Sequence, residues 1–385
     1  MPLLLATVGA LIFIAPRPST EGSKKGKKME KNQNLHRGQP HIGCPICTII
    51  PSHMLRHVAQ HGAEHLRERA LHTLEHSENL RGQRTLLANL GAVALSTPAG
   101  VKRRTIYDLA HGTQLPGTLV RGEGAPKNKD RDVNEAYDYS GVTYDFYKQV
   151  LGRNSVDDKG LRLDSSVHYS TQYDNAFWNG MQMVYGDGDG TLFQRFTKCL
   201  DVIGHELTHG VTQYEAGLQY QGQPGALNES FSDVFGSLVK QWKLKQSAAK
   251  ADWLIGAGLL AKGVKGVALR SMAAPGTAYD DPNLGQDPQP DNMKNYYKGS
   301  ADNGGVHINS GIPNHAFFLV ATALGGNAWD KAGKIWCDTL CTRLRPNSNF
   351  KDAANATVTS AGILFGTSSN EQKAVKSAWQ QVGVI

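Results

Sequence analysis

The hydrophobic and polar positions of the chain change their spacing near residue 200. Between residues 104 and 200, short runs of alternating apolar and polar residues are separated by glycine and asparagine, a pattern typical of strands. After Leu200 the apolar residues recur at intervals of three and four, as on the buried face of a helix. One helical pattern, at residues 132–151, interrupts the strands. The spacing therefore predicts an α+β front half with an antiparallel or mixed sheet, followed by an all-helical back half.

The individual elements follow from the same spacing. The predicted strands cover residues 104–108, 119–121, 161–163, 167–170 and 183–185. The predicted helices of the back half cover residues 201–214, 225–243, 248–263, 309–324, 328–342, 350–365 and 369–382. A chain of 385 residues is long enough for two domains, and a cleft is expected where the two halves meet.

The front segment, defined as residues 1–100, differs in charge from the rest of the chain. Residues 1–104 carry 15 Lys and Arg against 6 Asp and Glu, a charge of +9 in a chain whose total is +7. The remainder is near neutral, which argues against nucleic acid as the main partner. A low-complexity stretch at residues 90–100 predicts an exposed linker and a candidate cleavage region.

Residues 3–15 form an apolar run that is long enough for the core of a secretion signal but too short to span a bilayer as a helix. The positive charges follow this run instead of preceding it, which is the reverse of an ordinary signal. The run predicts a secreted protein without a stable membrane span. Translation from Met29 is the alternative, and it would remove the run and leave a cytoplasmic protein.

Cysteine and histidine gather in the front segment. The chain has five cysteines and 14 histidines, and eight of those histidines precede residue 77. Cys44 and Cys47 form a C-x-x-C that leads into a predicted helix over residues 53–79. That helix carries a row of histidines spaced by four: His53, His57, His61 and His65. A solvated helix face, a second metal site, a pH-sensitive surface and a thiol that reaches a metal elsewhere are the alternatives. No disulfide framework is evident, so Cys199, Cys337 and Cys341 are expected to be buried thiols.

The clearest chemical pattern is the H-E-x-x-H of His205, Glu206 and His209. Positions i and i+4 of a helix share one face and lie about 6 Å apart along its axis, so both imidazoles can bind one Zn²⁺. Glu206 then lies beside the open position of the metal and fits a general base. A zinc ion with only two protein ligands is poorly held, so the pattern predicts a third ligand downstream.

Residues 228–233 can supply that ligand. Glu229 offers a carboxylate, and Asp233 shares its helical face and can accept a hydrogen bond from a liganding imidazole, which fixes the tautomer. His307 follows a Gly-rich turn, with Asp302 available to orient it, and can donate to a developing oxyanion. Alone, such a histidine is more often structural. A chance H-E-x-x-H on a polar helix face is the competing interpretation, and Glu229 with Asp233 argues against it.

Together these motifs resemble the thermolysin family of zinc neutral metalloendopeptidases, from about Arg104 to the C-terminus. The matching motifs lie at residues 174–179, 184–190, 201–209, 216–220, 228–233, 269–272 and 302–310. The front segment, with Ile49-Ile50-Pro51 and Met54-Leu55, is most similar to the short prosegment of the protealysin-like subgroup. The resemblance implies a two-domain fold, with a β-rich N-terminal domain, an all-helical C-terminal domain and the zinc helix at their junction. The implied boundaries are residues 1–100 for leader and prosegment, 101–214 and 215–385.

The resemblance also implies a role for each matching residue. The zinc ligands would be His205, His209 and Glu229. Two residues would support those ligands, Asp233 for His205 and Asn228 for the site as a whole. Glu206 would activate a water molecule and pass its proton to the leaving amine.

Contacts to the substrate follow from the same resemblance. Tyr220 and His307, the latter held by Asp302, would stabilise the oxyanion. The substrate backbone would be held by Asn175, the main chain of Ala176 and Arg270. The pocket for the side chain after the scissile bond would be lined by Phe193, Phe196, Val202, Ile255, Leu259 and Leu269. An apolar lining favours a hydrophobic residue there, because burying apolar surface is favourable. Phe196 is bulkier than the family's usual residue.

The chain departs from the resemblance at the calcium pair that thermolysin-like enzymes usually bind beside the zinc helix. Asp201 and Asp252 keep their carboxylates, but Lys240, Leu254 and Ala257 stand where glutamates are expected. Calcium needs six to eight oxygen ligands. We therefore predict that the pair is absent and that Lys240 pairs with one of the aspartates.

These observations predict a zinc-dependent endopeptidase that is made as a proenzyme, acts on protein or peptide substrates and is inhibited by its own prosegment. A Cys44 or Cys47 thiolate at the zinc and steric blocking by residues 49–55 are the two alternatives for the inhibition. The competing hypothesis is a zinc-holding protein that stays blocked and acts through binding. A zinc aminopeptidase is a third possibility, but the chain lacks a G-x-M-E-N-type sequence for holding a free amino terminus.

Overall fold

The computed structural model describes residues 47–87 and 101–385, with the backbone alone for residues 81–87. The predictions for the leader, for Cys44 and for the linker at residues 90–100 lie outside these residues. Within the described part of the chain, no helix is both long and apolar enough to cross a membrane.

A six-stranded mixed sheet organises the first half of the chain and takes one strand from the front segment. Its strands are β1 (Cys47–Thr48), β2 (Arg104–Asp108), β3 (Thr118–Arg121), β4 (Leu163–Val167), β5 (Ala176–Trp178) and β6 (Met183–Tyr185), in the order β1-β5-β6-β4-β2-β3. The β2–β4 and β4–β6 pairs are parallel, and the other pairs are antiparallel. The prediction of a mixed sheet is therefore confirmed.

Two of the predicted strands are wrong in their bounds. Residues 161–163 and 167–170 were expected to form separate strands, but one strand, β4, spans the interval between them. The chain leaves the sheet at His168 and Ser170, which both have a φ of 56°. Such left-handed conformations do not continue a strand.

Helix α3 (Arg131–Leu151) covers the sheet, within one residue of its predicted start. The side chain of Asp130 caps it by accepting hydrogen bonds from the N–H groups of Asp132 and Val133, and Gly152 ends it in the left-handed conformation with a φ of 70°. Both ends follow the usual capping chemistry. The buried face of α3 packs against the sheet and against the next α-helix in the chain.

The back half is helical, and the predicted fold class is confirmed. Its helices are α4 (Leu200–Tyr214), α5 (Gly222–Leu244), α6 (Ala301–Asn309), α7 (Gly311–Leu324), α8 (Ala332–Thr342), α9 (Phe350–Phe365) and α10 (Asn370–Gln381). Two short 3₁₀ helices lie at Phe196–Lys198 and Met293–Asn295. The predicted domain boundary after residue 214 falls between α4 and α5 and stays a prediction.

The helix predicted at residues 248–263 is wrong. This region is a loop that contains β7 (Leu254–Ile255), paired with β8 (Arg270–Ser271), and it precedes a second short pair, β9 (Asp280–Asp281) with β10 (Gly285–Gln286). Trp253, Gly256 and Gly258 have φ values of 55°, 72° and 89°. A right-handed helix cannot contain these conformations. The apolar residues Trp253, Ile255 and Leu259 of this loop are nevertheless buried in the core.

The single helix predicted over residues 53–79 is also wrong. The front segment instead forms α1 (Ser52–His61) and α2 (Glu64–Leu87). The break lies at Gly62, which has a ψ of 164°. A Cβ at this position would lie 2.7 Å from the carbonyl oxygen of Val58, so the chain turns where only glycine fits.

The break divides the histidine row. His57 and His61 stack on α1 with ring centroids 4.2 Å apart, whereas His65 lies in the first turn of α2. Cys47 is not beside this row, because strand β1 carries it into the sheet opposite Trp178. Among the described residues, Cys47 groups with His209 and Glu229 and with none of the histidines of this row.

Glycines bring α4 and α5 into close contact. A Cβ on Gly236 would lie 2.4 Å from the carbonyl oxygen of Asp201, and one on Gly204 would lie 3.1 Å from the Cα of Gly236. A side chain at Gly236 would clash with α4, and one at Gly204 would make a tight contact with α5. The contact sets the H-E-x-x-H face of α4 directly against the face of α5 that carries Glu229.

Candidate active site

Three side chains predicted as metal ligands meet at the α4–α5 crossing. The Nε2 atoms of His205 and His209 lie 2.9 Å apart, and each lies 3.5 Å from a carboxylate oxygen of Glu229. All three residues are buried, and Glu229 Oε2 has no hydrogen-bond partner among the described residues. Three ligand atoms at about 2.0–2.1 Å from one tetrahedral ion would lie roughly 3.3 Å apart. The donor set therefore fits a zinc-sized cation.

The other ring nitrogens of the two histidines are held by α5. His205 Nδ1 donates to Asp233 Oδ1 at 2.8 Å, and His209 Nδ1 donates to Asn228 Oδ1 at 2.8 Å. Ser232 Oγ lies 3.0 Å from the same nitrogen of His209 and was not predicted from the sequence. Burial lowers the pKa of His209 to about 3. Each imidazole is thus fixed in the tautomer that leaves Nε2 available to a metal.

Asp233 connects the metal ligands to Arg270 on β8. Its two oxygens accept from Arg270 Nη2 and Nε, both at 2.8 Å, and Asn314 Nδ2 donates to Oδ2 at 2.9 Å. Burial alone would raise the pKa of this carboxyl, but Arg270 and His205 hold it well below its usual range. Asp233 is therefore charged. Asn314 lies 81 residues away, and no local spacing pointed to it.

Glu206 lies one residue round the helix from the ligands and is fully buried. Its Oε2 accepts from the main-chain N–H of Trp178 at 3.0 Å, while nothing in the part of the chain that the structure describes donates to Oε1. Burial and the nearby Glu229 raise the pKa of Glu206 well above its usual value. One oxygen is anchored by strand β5, and the other is available to accept a proton.

Two further groups face Glu229 from the opposite side. The Tyr220 hydroxyl donates to Glu229 Oε1 and lies 3.2 Å from His307 Nε2. Asp302 Oδ1 accepts from His307 Nδ1 at 2.7 Å, and Asp302 Oδ2 accepts from the His307 main-chain N–H at 2.8 Å. Burial alone would lower the pKa of His307, but Glu229 and Asp302 raise it. The imidazole is thereby oriented as a donor.

The turn before His307 explains how Asp302 reaches it. Residues 302–305 have φ values of 55°, 51°, 77° and 80°, a left-handed stretch inside α6 that only Asn, Asp and Gly adopt readily. This stretch folds the carboxylate back over the helical turn that follows. The Gly-rich spacing in the sequence was the signal for this geometry.

The six residues predicted to line the pocket after the scissile bond are all buried. They are Phe193, Phe196, Val202, Ile255, Leu259 and Leu269. All belong to the continuous apolar core that also includes Ile49 of the front segment. The residues that sequence analysis assigned to the pocket therefore share one apolar environment.

The front segment lies in the cleft as an extended chain. Ile49 N donates to the Ala176 carbonyl oxygen at 3.2 Å, and Arg270 Nη1 donates to the Ile49 carbonyl oxygen at 3.2 Å. Asn175 makes a pair of hydrogen bonds to the main chain of Ile50, at 2.9 and 3.1 Å. The three residues predicted to hold a substrate backbone thus hold the front segment.

Strand β1 continues this contact toward the metal ligands. It pairs antiparallel with β5, with Cys47 opposite Trp178 and Thr48 opposite Phe177. The Thr48 carbonyl oxygen accepts from His307 Nε2 at 3.0 Å. The segment therefore passes directly across the catalytic candidates.

Helix α2 fixes the front segment beside the cleft. Arg69 forms a paired hydrogen bond with Asp174 at 2.7 and 3.1 Å, and Thr73 Oγ1 accepts from the Asp174 main-chain N–H at 3.1 Å. Ser77 Oγ lies 3.1 Å from the hydroxyl of Tyr173. These contacts hold α2 against Tyr173 and Asp174, directly before Asn175 in the chain.

Lys240 contacts the two aspartates that the resemblance places beside a calcium pair. Its Nζ lies 2.9 Å from Asp201 Oδ2, 3.0 Å from Asp252 Oδ1 and 2.7 Å from the Leu254 carbonyl oxygen. Burial opposes the charge, but the two aspartates raise the pKa of Lys240. The ammonium thus bridges both carboxylates. The side chains of Leu254 and Ala257 offer no oxygen ligand.

The site has the features of a metallopeptidase. Two buried imidazoles and a carboxylate lie together, and an anchored glutamate and two oxyanion donors lie beside them. An extended segment of the chain crosses all of these groups. Comparisons with known proteins agree. Models of the thermolysin metallopeptidase catalytic domain and alpha-helical domain match residues 92–213 and 216–384, and a protealysin propeptide model matches residues 47–85. The chain belongs to the thermolysin family of metallopeptidases and carries a protealysin-type propeptide, which confirms the resemblance. From here, residues 47–87 are called the prosegment.

Individual relatives cover most of the chain. It is 52% identical to an extracellular metalloprotease of Pectobacterium carotovorum subsp. carotovorum, over 88% of this chain and 97% of the relative. It is 48% identical to protease PrtS of Photorhabdus sp. (strain Az29), over 87% and 91%. The solved precursor of protealysin from Serratia proteamaculans is 56% identical with a TM-score of 0.81, over 88% of this chain and all of that chain.

Proposed function

We propose that the chain is a zinc-dependent neutral endopeptidase, secreted as a proenzyme, with its metal held by His205, His209 and Glu229. The observation that carries this proposal is the buried donor triad with Glu206 anchored beside it. Two imidazoles and a carboxylate whose ligand atoms lie 2.9 to 3.5 Å apart suit zinc. A zinc ion bound there would supply Lewis acidity, lowering the pKa of a coordinated water to about 7 and polarising a peptide carbonyl.

Side chains of the protein transfer the proton and stabilise the negative charge that develops during the reaction. Glu206 takes the proton of the attacking water and passes it to the leaving amine, because its Oε2 is anchored and its Oε1 is free to accept. His307 and Tyr220 donate to the oxyanion that forms on the carbonyl. Asp302 holds the imidazole and keeps its donor aimed at the cleft. Asp233 and Asn228 position the metal-binding histidines.

An extended substrate would bind in the way that the prosegment does. Asn175, Ala176 and Arg270 bind the main chain of the prosegment, so they can bind any extended peptide in the same way. The residue in the place of Ile49 would direct its side chain toward the apolar residues of the pocket. Preference for a hydrophobic residue after the scissile bond follows from that burial.

A peptide series tests this function. Peptides that differ only in Leu or Asp after the expected cleavage point should differ in kcat/KM by at least about tenfold, because burying a leucine-sized side chain contributes about 1.5–3 kcal/mol. A zinc chelator should stop hydrolysis and added zinc should restore it. Equal rates on both peptides would exclude the assigned pocket. A chain that binds zinc but leaves casein intact would be the binding protein of the competing hypothesis.

Secretion is supported by the extracellular metalloprotease among the relatives. The test is N-terminal sequencing of the protein recovered from culture medium. A mature form that begins between residues 91 and 101 would place the cleavage in the predicted linker. Protein found only inside intact cells would favour translation from Met29.

The prosegment inhibits by occupying the cleft, and one of its side chains should make that inhibition pH-dependent. The His53 side chain is 20% exposed, but both of its ring nitrogens are buried and lack a hydrogen-bond partner in the described residues. Its Nδ1 lies 4.0 Å from Asp302, with His307, Arg270 and Arg56 also near. Burial lowers the pKa of His53 to about 4. The docked prosegment thus binds fewer protons than the released one between about pH 4 and 6.5.

Acidification through that range is therefore expected to weaken docking, by up to about a hundredfold. The measurement is hydrolysis by the intact precursor relative to the mature enzyme, from pH 7 to pH 5. His53→Leu should flatten the profile, whereas the exposed-site control His61→Leu should not. Burial, opposed by Arg69, raises the pKa of Asp174 to about 6. Acidification should therefore strengthen docking through Asp174, which opposes the effect of His53. The quantity to compare is the pH profile of the wild-type precursor minus that of the His53→Leu precursor. An unchanged profile in His53→Leu would refute this role.

The calcium pair is proposed to be absent, with Lys240 replacing part of its charge. The melting temperature should therefore be nearly the same in millimolar calcium and in a calcium-selective chelator that spares zinc. Lys240→Met should lower it by several degrees, because Asp201 is then left buried without its cation. A rise of many degrees on adding calcium to the wild-type chain would contradict the assignment.

A further inference from the structure

We propose that Cys47 is a fourth protein ligand of the metal in the precursor, and that it keeps the Thr48–Ile49 peptide bond from being cut. The proposal rests on the zinc site proposed above and adds a regulatory ligand to it. A catalytic zinc keeps one position open, whereas a site with four protein ligands is closed. The prosegment would therefore block chemistry at the metal as well as access to the cleft.

The placement of Cys47 is the first support. Its Sγ and one ligand atom each of His209 and Glu229 all lie within 4.8 Å of one another. Cys47 is only 1% exposed and packs with Tyr220 and Val306. The thiolate is among the best zinc ligands in proteins, at about 2.3 Å. The thiol therefore lies on the side of the site formed by His209 and Glu229.

The polar surroundings are the second support. Glu229 Oε2 is fully buried without a hydrogen-bond partner in the described part of the chain, as expected of a carboxylate that faces a cation. Cys47 is brought to it by the pairing of β1 with β5, opposite Trp178. Trp178 is also the residue whose N–H anchors Glu206. The strand pairing thus brings the thiol to two of the metal ligands.

The register of the prosegment explains why such a ligand matters. The Thr48 carbonyl accepts from His307, and Ile49, the next residue, is held by Ala176 and Arg270. The Thr48 carbonyl thus lies at an oxyanion donor, and the next residue makes the contacts predicted for a substrate backbone. A peptide bond that is about to be cut has the same arrangement. The prosegment therefore lies in the register of a substrate and needs protection.

Coordination by Cys47 provides that protection. When Cys47 binds the metal, its thiol proton would pass to solvent and its sulfur would take the open position that a water molecule would otherwise occupy. No attacking water then remains beside Thr48, although Glu206 is still in place. Removal of the prosegment would reverse the exchange and open the site.

X-ray absorption at the zinc edge tests the ligand directly. All samples carry Glu206→Ala so that the full chain stays intact. The precursor should show a sulfur shell at about 2.3 Å, Cys47→Ser should show only nitrogen and oxygen, and the matched control Cys44→Ser should keep the sulfur. The proposal would be overturned if the sample that keeps both cysteines bound zinc without a sulfur shell, or if Cys44→Ser lost the sulfur shell. If none of the samples bound zinc, the proposed function would be refuted instead.

A second readout tests the protection. With Glu206 present, the Cys47→Ser chain should cut itself so that a new N-terminus appears at Ile49, detected by intact mass and sequencing. Cys44→Ser should not produce that terminus, and Cys47→Ser with Glu206→Ala should stay whole. A zinc-loaded Cys47→Ser chain that remains uncut at this bond would show that sulfur is not what protects it.

Discussion

Glu206→Ala is expected to abolish peptide hydrolysis while the chain keeps its zinc. The three ligand side chains are untouched, but no other carboxylate in the described residues is anchored beside them with a free oxygen. Loss of a general base usually costs at least about 10²–10⁴-fold in rate. The measurements are kcat/KM on a hydrophobic peptide and the zinc content of the purified mature protein.

Glu206→Gln is the matched control, since the amide keeps the volume of the side chain and can still accept from Trp178. It should be as inactive as the alanine variant if proton transfer is what is lost. Near wild-type hydrolysis by the glutamine variant would mean that Glu206 acts only by shape. An alanine variant that processes its own prosegment at the wild-type rate would contradict the assigned mechanism.

Ile49→Asp in the precursor is expected to release inhibition and to raise hydrolysis by the uncleaved chain at least about a hundredfold. Ile49 has no exposed surface, and its side chain belongs to the same apolar core as the pocket residues. Burying an unpaired carboxylate there costs several kcal/mol, so the prosegment should leave the cleft. Initial rates on a peptide, with intact mass to verify that the chain is uncleaved, give the result.

Leu71→Asp is the matched control for that variant. Leu71 lies on α2 of the same prosegment but is 56% exposed, so its replacement should leave inhibition unchanged. Zinc content and melting temperature show whether both variants fold. A folded Ile49→Asp precursor that stays as silent as the wild-type precursor would mean that the inhibition does not depend on Ile49.

The sequence predicted the site where local spacing determines geometry. His205 and His209 share a helix face by their spacing of four, and Asp233 follows Glu229 by the same rule. The fold class was predictable because the apolar period changes clearly at residue 200. The failures were also local. Helical apolar spacing at residues 248–263 could not reveal the positive φ values at Gly256 and Gly258.

Contacts between distant residues were beyond such reasoning. Asn314 joins Asp233 across 81 positions, and Trp178 anchors Glu206 through a main-chain N–H that no side-chain motif encodes. The placement of Cys47 depends on the pairing of β1 with β5, more than 120 residues apart in the chain. Propensity and spacing describe one element at a time, so they cannot specify which strand edge a short segment will join.

The pairing of β1 with β5 has a consequence for which proteins the enzyme can digest. Once the prosegment is gone, β5 is an open sheet edge whose N–H and C=O groups recognise backbone rather than side chains. A chain must be extended over several residues to satisfy them. Folded proteins expose such stretches mainly at termini, at loop tips and during local opening. Resistance to this protease should therefore follow a target's local stability, and disordered chains should be consumed first in a mixture.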